Sequence, residues 1–271
     1  MLLSGVESEL LLYGLLLGLF AGALAGSLAG LAGVGGGLIY TPLFYALLPT
    51  EGSTMALFVF TSMVAITITG LFSTRAHYRL GHIHHTMLYL LLPGLICGAA
   101  LGLWGTLHIP AVVILLGLAT IEAWVAFDYG KKTVSASKAS PPLPLASLPI
   151  GYLSGSFGIA GGTMIVPLLR RHIALRLAVG TSAACGFIMA VAATSLNLLF
   201  DSSWYELLQT QWPRLTGIWL GVALITPWSS NYAAHYHAEL NENQLHSLLR
   251  FVFMALAAGV LLSVAWLMYT A

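Results

Sequence analysis

Long apolar runs follow one another along the chain, roughly Leu10 to Leu48, Thr54 to Thr74, Met87 to Leu107, Pro110 to Phe127, Leu143 to Leu169, Leu177 to Phe200, Leu215 to Tyr232 and Leu245 to Met268. A continuous apolar run of about 20 residues matches the hydrocarbon thickness of a bilayer. Helices are the expected form, because lipid offers backbone N–H and C=O groups no other partner. Barrel strands would instead alternate in segments of about 10 residues. The pattern predicts an all-α polytopic membrane protein with at least six crossings.

The conspicuous polar stretch is DYGKKTVSASKASPPLP, Asp128 to Pro144, and it divides the chain near its middle. The two halves repeat. GLAGVGGGLIYTPLF, from Gly30, aligns without a gap on GSFGIAGGTMIVPLL, from Gly155. Gly33 then falls on Gly158, Gly36 on Gly161, Gly37 on Gly162 and Pro42 on Pro167. Further on, Thr61 and Ser62 match Thr181 and Ser182, while Gly94 and Gly98 match Gly217 and Gly221. The expected organisation is a first transmembrane repeat over 1–130, a polar linker over 131–144 and a second repeat over 145–271.

Eight single crossings would make the repeats parallel, with a weak positive-inside bias. If each Gly-rich segment instead dips in and returns to its own side, each repeat has three full crossings and the second is inverted. With the Arg75 loop inside, every Lys and Arg except Arg214 then lies on the cytoplasmic side. Because that bias is the main orientation signal in a sequence, the inverted arrangement is the preferred expectation.

Composition agrees: 58% of the 271 residues are hydrophobic and 7% charged, against about 25% charged in soluble domains. A formal net charge of +1 provides no basic field for nucleic acid. Cys97 and Cys185 lie in apolar segments, where thiols pack as small hydrophobes. The chain begins with Glu7 and Glu9 and no Lys or Arg ahead of its first apolar run, which disfavours a cleaved signal peptide.

Glycine costs about 1 kcal/mol and proline about 3 kcal/mol relative to alanine in a helix. Gly33, Gly35, Gly36 and Gly37 ahead of Pro42 therefore predict a structural break, repeated at Gly158, Gly161, Gly162 and Pro167. An opened turn exposes N–H groups, and the next half helix adds a partial positive charge. Together they make an anion site that requires no buried cation. The candidate substrate-binding positions are Gly35, Gly36, Gly37, Ala160, Gly161 and Gly162, with Thr61, Ser62, Thr181 and Ser182 as hydroxyl donors. Those hydroxyls can equally bond back to their own helices. The upstream ladder of Gly22, Gly26, Gly30 and Gly33 reads more simply as close helix packing.

His77 and Asn197, each sixteen residues beyond the matched Thr61 and Thr181, are further candidate donors. Glu122 is an acidic residue well inside an apolar segment, either a proton carrier or a carboxylate reaching the interface near Asp128. Arg75, His77, Arg79, His82, His84 and His85 form a basic cytoplasmic rim, which reads more simply as an orientation signal than as an anion-gathering surface. The last three are too closely spaced to give one helical face three metal ligands. No metal, cofactor, nucleotide loop or catalytic motif is implied, so an enzyme is not expected.

With its duplicated Gly clusters, paired Thr-Ser positions and the basic stretch ending in RLGHI, the chain resembles the TauE/SafE family of membrane transporters, the sulfite exporter family, over nearly its whole length. Ala160 in place of a glycine and Ile225 in place of a small residue depart from the family pattern. The resemblance implies a permease for small sulfur-containing anions such as sulfite, thiosulfate or organosulfonates, in the bacterial cytoplasmic (inner) membrane, with lipids and protons as partners. Two other readings stand beside it. One is a divalent-cation permease using His82, His84 and His85; the other is a non-transporting scaffold binding a partner through His235 to Asn243.

Overall fold

The computed structural model describes residues 5–48, 55–106, 109–129, 143–159, 161–200 and 203–270. These residues form ten helices: α1 Gly5–Ala32, α2 Gly37–Leu47, α3 Met55–Arg79, α4 His85–Thr106, α5 Ala111–Tyr129, α6 Leu143–Phe157, α7 Gly162–Leu169, α8 Leu175–Phe200, α9 Ser203–Glu239 and α10 Glu242–Thr270. No strand occurs among them. Five of the helices, α1, α3, α4, α8 and α10, contain described stretches long and apolar enough to cross a membrane. The outward surface carries Leu16, Phe20, Leu101, Leu199, Leu224 and Leu262, side chains suited to hydrocarbon. The chain is a multi-span all-α membrane protein.

Helix pairing follows the internal repeat. Exchanging α1 to α5 for α6 to α10 turns the α1/α9 contact into α6/α4, α2/α3 into α7/α8 and α3/α9 into α8/α4, and all six pairs are in contact. The α3/α8 and α5/α10 contacts map onto themselves. Glycines set the closest of these approaches. On α1, Gly14, Gly18 and Gly30 pack directly on the backbone of Arg214, Ile218 and Ser230 of α9, so these two helices run parallel. On α4, Gly94, Gly98 and Gly102 pack in the same way on Pro144, Leu148 and Tyr152 of α6. In contrast, α3 and α8 run antiparallel: Gly70 faces Phe187 while Gly180 faces His82.

This ladder is a test of the packing. A Cβ on Gly18 would coincide with the Ile218 carbonyl, a backbone atom that cannot swing aside. Gly18→Leu is expected to destabilise the detergent-solubilised protein by about 3 kcal/mol, at the upper end of overpacking costs. Gly259, with open space where its Cβ would lie, should accept Ala with a gain of up to about 1 kcal/mol. Equal melting shifts for the two substitutions would refute the ladder's structural role.

Candidate functional site

Both Gly-rich segments are helix breaks of the same construction. Between α1 and α2, Gly33 has φ 68° and Gly36 φ 81°; between α6 and α7, Gly158 has φ 70° and Gly161 φ 66°. These left-handed values are costly for any residue with a Cβ, and they recur at matched positions. Gly35 does not have a positive φ. Its position therefore has no left-handed requirement of its own, which accounts for a residue with a Cβ at the counterpart. That counterpart, Ala160, lies outside the described residues.

After its break, α2 doubles back. The Tyr40 hydroxyl lies 2.7 Å from Thr69 Oγ1, the Tyr45 ring meets Phe58 edge-on with centroids 5.3 Å apart, and Tyr13 Oη donates to Leu47 O at 3.0 Å. Thus α2 descends α3 and ends beside the early part of α1. At the other end of the molecule, α7 terminates beside the end of α5. There Arg170 Nη2 lies 2.8 Å from Asp128 Oδ2 and donates to Asp128 O at 2.6 Å. Both side chains are about 95% buried, at 4% and 5% exposure.

The two breaks interlock. Gly37 packs on Gly158 O and Ile159 Cα, and Gly162 packs on Gly33 O and Val34 Cα. Serines from the matched positions tie the exposed carbonyls together. Ser62 Oγ donates to Gly158 O at 3.0 Å, with Thr41 Oγ1 3.1 Å from the same oxygen. Ser182 Oγ lies 3.1 Å from Gly33 O and 3.0 Å from Gly162 O. Each repeat thereby holds the other's break.

Neither following helix has a side-chain N-cap. Ile39 and Tyr40 N–H return to Gly36 O, and Met164 and Ile165 N–H return to Gly161 O. The amides of Gly37, Leu38, Gly162 and Thr163 consequently have no intrahelical acceptor. Thr61 Oγ1 and Thr163 Oγ1 are buried without a hydrogen-bond partner among the described residues. Two half-helix N-termini and unused hydroxyls near the adjoining breaks have the chemistry to solvate an anion without a fixed charge.

The remaining sequence candidates are placed elsewhere. Thr181 Oγ1 accepts from the His84 N–H at 2.9 Å, holding the α3–α4 turn against α8. His77 Nε2 lies 2.9 Å from Gly30 O, at the end of α1 just ahead of the break. Asn197 is buried at 5% exposure, with Oδ1 unpartnered among the described residues, about 22 Å along α8 from Ser182 at the usual helical rise. Because α3 and α8 run antiparallel, His77 and Asn197 lie toward opposite ends. Glu122 is fully buried in α5, and neither carboxyl oxygen has a hydrogen-bond partner among the described residues. Pro42 and Pro167 lie within α2 and α7 respectively.

Sequence reasoning overlooked Thr41, Thr163, His237 and the Asp128–Arg170 pair. The first two carry a visible signal, hydroxyls on the short helices after each break. The others depend on tertiary contact alone. A cleft of about 690 Å³ between α1, α2, α9 and α10 is lined by side chains such as Leu28, Ile39, Pro42, Phe251 and Leu256. Its lining is mostly hydrocarbon, with Ser27, Tyr232 and Tyr236 as the hydroxyl-bearing side chains on its wall.

The profile described as sulfite exporter TauE/SafE matches residues 18–264. The chain belongs to that family. The match includes both breaks, their serines and the helices that pack them. A curated relative from Haemophilus influenzae, a probable membrane transporter protein, is 34% identical over 173 residues, spanning 60% of this chain. The chain covers 65% of that relative's length. No solved structure matches this family member.

Proposed function

We propose that this TauE/SafE chain is a secondary transporter for small sulfur-containing anions, such as sulfite, thiosulfate or organosulfonates, in the bacterial cytoplasmic membrane. The observation that carries the reading is the juxtaposition of two glycine-opened breaks, each beginning a half helix whose first amides bond no acceptor among the described residues. A helix N-terminus has the effect of about half a positive charge. Two of them, with the hydroxyls of Thr61 and Thr163 that have no partner among the described residues, offer an anion shallow binding that still permits release, while Ser62 and Ser182 hold the break carbonyls in place. A buried Lys or Arg would be costly in the bilayer and would hold the anion too tightly.

The repeats, 1–130 and 145–271 joined by linker 131–144, are inverted in this reading. Support comes from the antiparallel course of the matched helices α3 and α8, and from α2 and α7 ending toward opposite ends of the molecule. Charge supports the same orientation. Arg79, Arg170, Arg171 and Arg176 belong to the end that holds His82, while Arg214 lies at the other end, 5.8 Å from the Tyr13 ring. The His82 end is then cytoplasmic; Lys131, Lys132 and Lys138 lie outside the described residues. Alternating access follows from the two break-bearing units moving against each other.

Counterflow in proteoliposomes tests the substrate class, using radiolabelled sulfite, thiosulfate and taurine against carboxylate and divalent-metal competitors. Exchange driven only by divalent metals would reject the anion reading. Glu122 is the proposed proton carrier, as a fully buried carboxyl group without a cation partner among the described residues. Glu122→Gln should retain at least half of parental counterflow, which needs no net proton movement. Uptake driven by an imposed pH gradient should fall about tenfold or more. Parallel loss of both would assign Glu122 a structural role.

A further inference from the structure

Three imidazoles from separate parts of the chain converge where α1 ends. His77 comes from α3, His82 from the α3–α4 turn and His237 from the last turn of α9. Their ring centroids lie 5.7 Å (His77–His82), 5.9 Å (His77–His237) and 6.1 Å (His82–His237) apart. His77 Nε2 is 2.9 Å from Gly30 O, and His237 Nδ1 is 2.7 Å from Leu31 O. Both carbonyls belong to the final turn of α1, where a helix lacks intrahelical donors. Two histidines thus hold the helix end that leads directly into Gly33 and the first break.

These bonds set the proton inventory. A carbonyl only accepts, so His77 carries hydrogen on Nε2 and His237 carries it on Nδ1. In neutral His77, Nδ1 is then an acceptor, and the His82 Nδ1 3.4 Å away is its donor. With His82 carrying its hydrogen on Nδ1, a second proton on His77 would oppose two N–H groups. His237 Nε2 is buried with no partner among the described residues, so a proton added there would have no acceptor in this arrangement. Arg176, at the start of α8, acts electrostatically on His82 and His237, and it is a cation. His82, in the turn outside the spanning helices, is pushed below the ordinary histidine pKa by burial and then by Arg176. The packed conformation therefore suits three neutral rings.

We propose that the His77–His82–His237 cluster is a proton-binding latch on the cytoplasmic end of α1: protonation releases the Gly30–Leu31 carbonyls and frees the first break to move. The proposal rests on the transporter reading of the breaks. Its sign follows from linkage. The latched conformer binds fewer protons, so it is favoured above the usual histidine range and yields to the released conformer as pH falls through it. Each ring that titrates only after release shifts the equilibrium by up to about tenfold per pH unit below about 6.5. The latch thereby couples acidity on the cytoplasmic side to opening of the anion path.

The test follows accessibility rather than flux. Ala32, fully buried at the end of α1, is replaced by Cys in the full chain carrying Cys97→Ala and Cys185→Ala. The protein is reconstituted in liposomes and exposed to a membrane-impermeant maleimide at the cytoplasmic face. Labelling should accelerate about tenfold or more between pH 7.5 and pH 5.5, after correction for the intrinsic reactivity of the thiol. With His77→Gln and His237→Asn added, the amide donors to Gly30 and Leu31 remain but the proton sites are gone, so the corrected rate should stay flat.

A flat parental rate, or an unchanged rise in the double variant, overturns the latch. A rise abolished by EDTA also overturns it, because it would assign the rings to a divalent metal. If the double variant does not fold, His82→Asn, which removes one proton site, is read in the same way: an undiminished rise overturns the proposal. Anion counterflow is measured on the same vesicles. Intact counterflow with flat labelling rejects the latch alone, whereas a pH-driven rise without counterflow rejects the transporter reading alone.

Discussion

Gly36→Val and Gly161→Val should each lower anion counterflow about 100-fold while leaving membrane insertion intact. Both glycines are left-handed N-caps, with φ 81° and 66°, and that conformation costs an L-residue about 1–2 kcal/mol. The new Cβ would also fall 2.8 Å from Ala25 Cβ at Gly36, and 2.9 Å from Ser154 Oγ at Gly161. Repacking adds about 1–3 kcal/mol. A combined cost of about 3 kcal/mol on the transport-competent geometry is a factor of ~100 in rate. Gly35→Ala is the control. Its backbone has no positive φ, and the second repeat carries Ala160 at the matched position. Counterflow should stay within about threefold of the parent protein, a cost below ~0.6 kcal/mol. Transport equally insensitive to all three substitutions would remove the breaks from the mechanism.

The largest expected stability effect lies at the opposite end of α7. Asp128 and Arg170 are nearly excluded from solvent, and their pairing fastens α7 to the end of α5. Removing one partner of a buried ion pair costs about 3–5 kcal/mol. Asp128→Ala should lower the apparent melting temperature of the purified protein by several degrees. Replacing both residues with apolar ones, Asp128→Leu with Arg170→Met, should recover most of that loss. A double variant as unstable as the single one would show that Arg170 matters chiefly through its bond to the Asp128 carbonyl.

The pair also distinguishes the repeats. Around α7, the approach of α5 is fixed by charge; around α2, α10 makes contact without an ion pair among the described residues and leaves an apolar cleft beside Ile39 and Pro42. The two halves therefore share a helix order while differing in how tightly the short helix is held. A sequence alignment of Gly33 with Gly158 contains no information on that difference, because the contacts responsible come from α5 and α10.

The legible part of the site was the part governed by local backbone physics. Gly33, Gly36, Gly158 and Gly161 occupy left-handed conformations that few other residues tolerate, so their recurrence exposed both breaks. Thr and Ser roles were less legible because one hydroxyl can serve its own helix, a ligand or a distant carbonyl. Ser62 and Ser182 reach across to the other repeat's break, whereas Thr181 bonds the His84 amide. Nothing within those short segments specifies the choice.

Hydrophobic run length and charge scarcity by themselves determined a multi-span helical protein, since an apolar chain in lipid must satisfy its backbone within helices. The repeated glycine spacing determined where those helices break. Only the tertiary structure decided that the breaks adjoin, that Arg170 meets Asp128, and that His237 reaches Leu31 across 206 residues of chain, beside the contact of His77 with Gly30. Local conformational cost is written at each residue. Long-range pairing depends on the packing directions of helices far apart in sequence.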